Sequence, residues 1–88
     1  MSDSTEDAAA RKRRLRWRCR RGMLELDELF LAFLAHGYDQ LNDAERDTFE
    51  SMLESKDQDL LDWMLLQSEP ADGDYRNLVD KIRRASLS

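Results

Sequence analysis

The side chains that could carry covalent or acid–base chemistry are few. His36 is the only histidine and Cys19 the only cysteine. A Cys/His metal cluster therefore cannot be assembled, and no disulfide can close within the chain. Cys19 and His36 could in principle pair as nucleophile and base. However, Cys19 falls four residues after Leu15 on one helical face, where a thiol serves as a small core residue. His36 falls at the end of a helical stretch, a position that favours a partial positive charge. Gly22, Gly37 and Gly73 stand singly, so the chain has neither a Walker loop nor a dinucleotide fingerprint. Most of the nineteen carboxylates fall on expected solvent faces of amphipathic helices. The inventory points away from an enzyme and toward a protein that acts by contact.

The contact chemistry lies in the charge pattern. The net charge is −5 over 88 residues, but it is segregated. Residues 1–10 carry −3, whereas Arg11 to Arg21 carry eight cations and no acid. Residues 22–69 hold thirteen acids against Arg46 and Lys56, and 70–88 are nearly balanced. A basic helix followed by an acidic body can pair with itself or present two faces of opposite sign. Trp17 stands among Arg13, Arg14, Arg20 and Arg21 and away from Leu15 and Cys19. It can anchor a protein partner, stack on a nucleic-acid base, or pack on the chain's own second helix. Between the first two helices, Arg21-Gly22-Met23-Leu24-Glu25 brings a cation, a turn-forming glycine and an acid together. Arg21 and Glu25 can clamp that turn or project from it as a polar pair.

The elements that position these residues follow from composition and periodicity. Thr5, Thr48, Val79 and Ile82 are the only β-branched residues, and Leu, Glu, Arg, Ala and Met are abundant. This composition predicts an all-α chain, and the helical stretches along it make a compact five-helix bundle in one domain, or four helices if the first frays. We expect a polar tail over 1–8, the domain over 9–86, and a short tail at 87–88. The first helix is expected over Ala9–Arg21, stopped by Gly22. The second spans Leu24–His36, with Leu26, Leu29, Phe30, Phe33 and Leu34 as its buried stripe and Gly37 as its stop. Asn42 and Glu45 form a capping box for the third helix, which buries Phe49, Met52 and Leu53. Asp57, or alternatively Ser55 with Gln58, caps a fourth carrying Leu60, Leu61, Met64 and Leu65, and Pro70 ends it. The fifth follows an Ala71–Asp74 turn and buries Tyr75, Leu78, Val79 and Ile82. The longest apolar runs are too short to span a bilayer. An acidic N-terminus without an apolar stretch speaks against a leader peptide, so a cytoplasmic location is expected.

The run Trp17-Arg18-Cys19-Arg20-Arg21-Gly22-Met23-Leu24-Glu25-Leu26-Asp27 resembles the signature of the succinate dehydrogenase assembly factor family, the bacterial SdhE and mitochondrial assembly factor 2 group. The family hallmark Arg-Gly-x-x-Glu is matched by Arg21, Gly22 and Glu25. Tyr38-Asp39-x-Leu41, then Phe49, Met52 and Leu53, then Asp59, Leu60 and Trp63 continue the likeness, which covers about 14–84. The resemblance implies a five-helix fold. It also implies an assembly chaperone that binds the flavoprotein subunit of succinate dehydrogenase or fumarate reductase and promotes its covalent flavinylation with FAD. The flavin joins a histidine of that partner, so no cofactor of the chain's own is implied. On this basis Arg14, Trp17, Arg20, Arg21, Gly22 and Glu25 are the expected docking residues of a single-copy protein, with no catalytic or metal-binding residue. The competing reading is a nucleic-acid-binding module built on the Arg-rich first helix.

Overall fold

In the computed structural model, residues 8–87 are described, with side chains over 9–85. The tail expected at 1–8 therefore lies almost wholly outside the described residues, as does Ser88. Five α-helices are present: α1 Ala8–Arg18, α2 Leu24–His36, α3 Asp43–Met52, α4 Asp57–Met64 and α5 Gly73–Leu87. A 3-10 turn at Tyr38–Gln40 joins α2 to α3, and there is no strand among the described residues. The expected all-α five-helix bundle is the fold observed.

The core is a single apolar cluster to which every helix contributes. It contains Leu15 and Cys19 from the α1 end, Leu26, Phe30, Phe33 and Leu34 from α2, and Phe49, Met52 and Leu53 around α3. Tyr38 and Leu41 from the α2–α3 connection, Leu60 and Met64 from α4, and Leu78, Val79 and Ile82 from α5 complete it. The amphipathic stripes read from the sequence thus face one another, with α2 packed chiefly against α5. Phe49 is the aromatic hub, its ring 5.3 Å from Phe33, 5.8 Å from Tyr38 and 6.0 Å from Phe30. Leu29, Leu61 and Tyr75 lie at the edge of the core. Leu65, expected inside, is 43% exposed.

The helix ends show where local signals held and where long-range contacts took over. The α3 capping box forms: Asn42 accepts from the Glu45 N–H at 2.8 Å and Glu45 accepts from the Asn42 N–H at 3.0 Å. Gly37 caps α2 with an ordinary negative φ. Glycine is needed there because a Cβ would come within 2.8 Å of the Phe33 ring.

Three expected ends move. First, α1 stops at Arg18, because Arg20 already closes a tighter turn on Trp17 (3.2 Å) and the chain then leaves toward Gly22. Second, α4 starts at Asp57 without a side-chain cap from Lys56, Asp57 being already helical, and the Asp57 carboxylate is taken by Arg21. Third, α4 ends at Met64, well before Pro70. Gln67 donates to the Asp62 carbonyl at 2.8 Å and Leu66 to Trp63 at 3.2 Å, a Schellman closure with Leu66 at φ 61°. The Arg83 Nε donates to the Met64 carbonyl at 3.0 Å and holds that end against α5.

Candidate functional site at the α1–α2 corner

Where α1 gives way to α2, the backbone reverses through Gly22 at φ 82°. An L side chain is strained at that φ, yet a Cβ there would meet nothing within 4 Å. The space above Gly22 is open, and the glycine is required by the turn itself. Asp27, in the first turn of α2, reaches back to the corner. Its carboxylate accepts from the Arg21 N–H at 2.7 Å and the Gly22 N–H at 3.3 Å. Two donors that the turn would leave unpaired are thereby satisfied.

The Arg21 side chain points inward and is only 16% exposed. Its Nε donates to Asp57 at 2.7 Å, Nη1 to the Leu53 carbonyl at 2.7 Å and the Arg18 carbonyl at 3.1 Å, and Nη2 to the Ser55 carbonyl at 3.1 Å. One guanidinium thus caps the open carbonyls ending α1 and α3 and pins the first residue of α4. The partner of Arg21 is Asp57 and not Glu25, so the clamp is built across the fold instead of across the turn. Glu25 is exposed and has no ion pair among the described residues. Of the six expected docking residues, Arg14, Trp17, Arg20, Gly22 and Glu25 lie on the surface, and Arg21 lies beneath them.

The basic helix divides into two rows. On the inner row, Arg11 pairs with Glu50 and with Asp47 (3.0 Å), and Lys12 with Asp39 (3.1 Å). Arg18 approaches Glu50 and Glu54 at 3.7 Å each and donates to the Glu50 carbonyl at 3.2 Å. On the outer row, Arg13, Arg16, Trp17 and Arg20 are exposed at helical spacing. No acid among the described residues pairs with those three arginines. Trp17 is 73% exposed, and the Arg20 guanidinium lies 5.3 Å from its ring centroid. Trp17 does not pack on α2, which leaves it available to a partner.

Cys19 is fully buried directly under this corner, and burial pushes its thiol up to about 12 against the pull of Arg21 and Arg18. A thiol so held is not a nucleophile at neutral pH. His36 lies at the far end of α2, so the two residues do not form a pair. No group of three or more potential metal ligands occurs among the described residues, and no helix is long and apolar enough to cross a membrane. The reading of the sequence overlooked two corner residues. Asp27 stands in the first turn of α2, where its type alone does not reveal that it reaches back to two backbone donors. The tie to Asp57 spans 36 positions, and no local pattern reports it.

A family model described as "flavinator of succinate dehydrogenase" matches residues 13–86. Among curated proteins, the FAD assembly factor SdhE of Pectobacterium atrosepticum is 42% identical over 72 residues, 82% of each chain. The factor of the same name from Aliivibrio fischeri is 38% identical over 81 residues, covering 92% of this chain and 94% of that one. That of Vibrio cholerae is 40% identical over 80 residues, covering 91% and 93%. Proteins named as assembly factors, and not as enzymes, thus match this small helical chain along most of its length. More particularly, the chain belongs to the family of succinate dehydrogenase flavinators.

Proposed function

We propose that this protein docks on the flavoprotein subunit of succinate dehydrogenase, or of the related fumarate reductase, and promotes covalent attachment of FAD to it. The observation that carries this reading is the family match over 13–86, which includes the whole Arg21-Gly22-Met23-Leu24-Glu25 corner. In this account Trp17 is the aromatic anchor, flanked by Arg14 and Arg20. Gly22 leaves room for the partner's backbone, and Glu25 offers a carboxylate free to accept its hydrogen bonds. Arg21 works from below as a positioning residue, because it fixes the corner to α3 and α4. The flavin stays with the partner. This chain selects the partner conformation in which the partner's own histidine meets the flavin, an effect of positioning and population shift.

The nucleic-acid reading needs the whole arginine run, but Arg11, Lys12 and Arg18 are committed to α3 and the turn before it. The acidic body would also repel phosphate.

The test is in-gel flavin fluorescence of the denatured flavoprotein, co-expressed with wild-type chain, Gly22→Arg, Glu25→Ala, or no chain. Glu25→Ala is expected to keep the helical circular dichroism spectrum and to lose most of the fluorescence. Gly22→Arg should lose it too, with a modest stability loss of about 1 kcal/mol from the left-handed φ. Full fluorescence with both variants would place docking elsewhere. Equal fluorescence without any chain would remove the flavinylation role.

A further inference from the structure

Past the turn at Gly22, the first turns of α2 and the end of α4 enclose an open hollow of about 400 Å³, lined by Glu25, Glu28, Leu29, Ala32 and Leu65. The four α2 residues recur at i, i+3, i+4 and i+7, so one stripe of that helix forms the wall, and Leu65 closes it from the cap of α4. Leu29 and Ala32 are half-buried and make an apolar floor, whereas Glu25 and Glu28 are exposed at the rim. Neither carboxylate has an ion pair among the described residues. Apolar surface is open to water here as well: Leu65 is 43% exposed, and Leu24, one turn before Glu28, is 73% exposed. Filling such a depression with an apolar group removes that surface from water. Two neighbouring like charges on one helix face repel until a cation meets them. A second hollow of about 330 Å³, beside His36 and Gly37, offers no such opening, because its Lys81 and Arg84 already pair with Glu45 and Asp80.

We propose that the hollow receives an apolar side chain of the flavoprotein flanked by a lysine or arginine. The apolar group covers Leu29, Ala32 and Leu65, and the cation meets Glu25 and Glu28. This inference rests on the docking role proposed above and gives its partner a chemistry. Glu25 belongs both to the Arg21-Gly22-Met23-Leu24-Glu25 corner and to the hollow, so a partner seated on the corner extends onto α2 without a gap. The rim carboxylates select for charge and the floor for shape, and an acidic segment is refused.

Titration of the full chain against the purified flavoprotein subunit, at ~0.05 M and ~0.5 M salt, tests it with variants that leave Trp17, Arg21, Gly22 and Glu25 intact. Ala32→Trp fills the hollow, and Glu28→Lys reverses one rim charge. Each is expected to keep the helical circular dichroism spectrum and to weaken binding roughly tenfold or more. The loss with Glu28→Lys should be larger at the lower salt. Leu65→Ala, at an exposed position, should weaken binding by a smaller factor and takes the place of Ala32→Trp if that variant does not fold. Unchanged affinity with Glu28→Lys and the hollow variants, while Glu25→Ala still loses binding, would overturn the inference and leave the docking role standing. Tighter binding by Glu28→Lys would also overturn it, because the partner would then be acidic at this place. No binding by the wild-type chain would sink the docking role and the inference together.

Discussion

Among single residues, Cys19 could be placed from spacing alone and Arg21 could not. Cys19 looks reactive because it lies within an arginine run, yet its face places it with Leu15 in the core. Its raised pKa has a thermodynamic consequence. The unfolded thiol releases its proton near its ordinary value of about 8.5, whereas the folded one holds it to about 12. Above about pH 8.5 the unfolded chain therefore binds fewer protons than the folded one, and stability falls as pH rises through that window. Thermal melts from pH 7 to 10 should show this decline, and Cys19→Ala should flatten it. Alkylation of the wild-type thiol at neutral pH should proceed only as fast as the protein opens. Arg21, in contrast, looks like a surface cation because it follows Arg20 and precedes an exposed glycine, yet it serves the interior of the corner.

At the scale of elements, the capping box of α3 and the stripes of α2 and α5 were legible because each rests on residues three or four apart. The end of α4 was not. Its closure depends on Leu66 accepting a left-handed backbone, held by hydrogen bonds to Asp62 and Trp63. No glycine marks the spot, and Pro70, the visible punctuation, comes four residues too late. A leucine at φ 61° and 63% exposed contributes little packing to offset its strain. Leu66→Gly is expected to stabilise the protein by about 0.5–1 kcal/mol, read as a higher denaturant midpoint with unchanged slope. A lower midpoint would mean that the exposed leucine is held by packing after all. The start of α4 was misread for a related reason. Asp57 has the right type for a local cap, but the cation 36 positions upstream claims it.

For the whole molecule, the segregated charge proves to be part of the architecture. The acidic body holds the inner face of α1 through Asp39, Asp47 and Glu50, and Glu45 ties α3 to Lys81 of α5 at 2.7 Å. The Lys81 ammonium and the Asn42 backbone hold the Glu45 carboxyl below its ordinary range. A depressed folded pKa contributes stability above the unfolded value of about 4.3, and that stability is lost as pH falls through the folded value. Together with the thiol, this predicts a stability plateau between about pH 4.5 and 8.5. Glu45→Gln should soften the acid limb without moving the alkaline one. The sequence showed that the two charge blocks exist. It could not show which arginines are neutralised, because that depends on how the helical phase of α1 meets α3 in space.

The Arg21 tie also bears on when the protein becomes competent. The corner is encoded by residues 17–27, which leave the ribosome before α3 and α4. The groups that hold Arg21 in place, the Leu53 and Ser55 carbonyls and the Asp57 carboxylate, are synthesised some thirty residues later. A nascent or truncated chain can therefore display the tryptophan and the glycine without the geometry that surrounds them. The geometry of the corner is thus coupled to synthesis through Asp57, and a chain cut short of that residue lacks it.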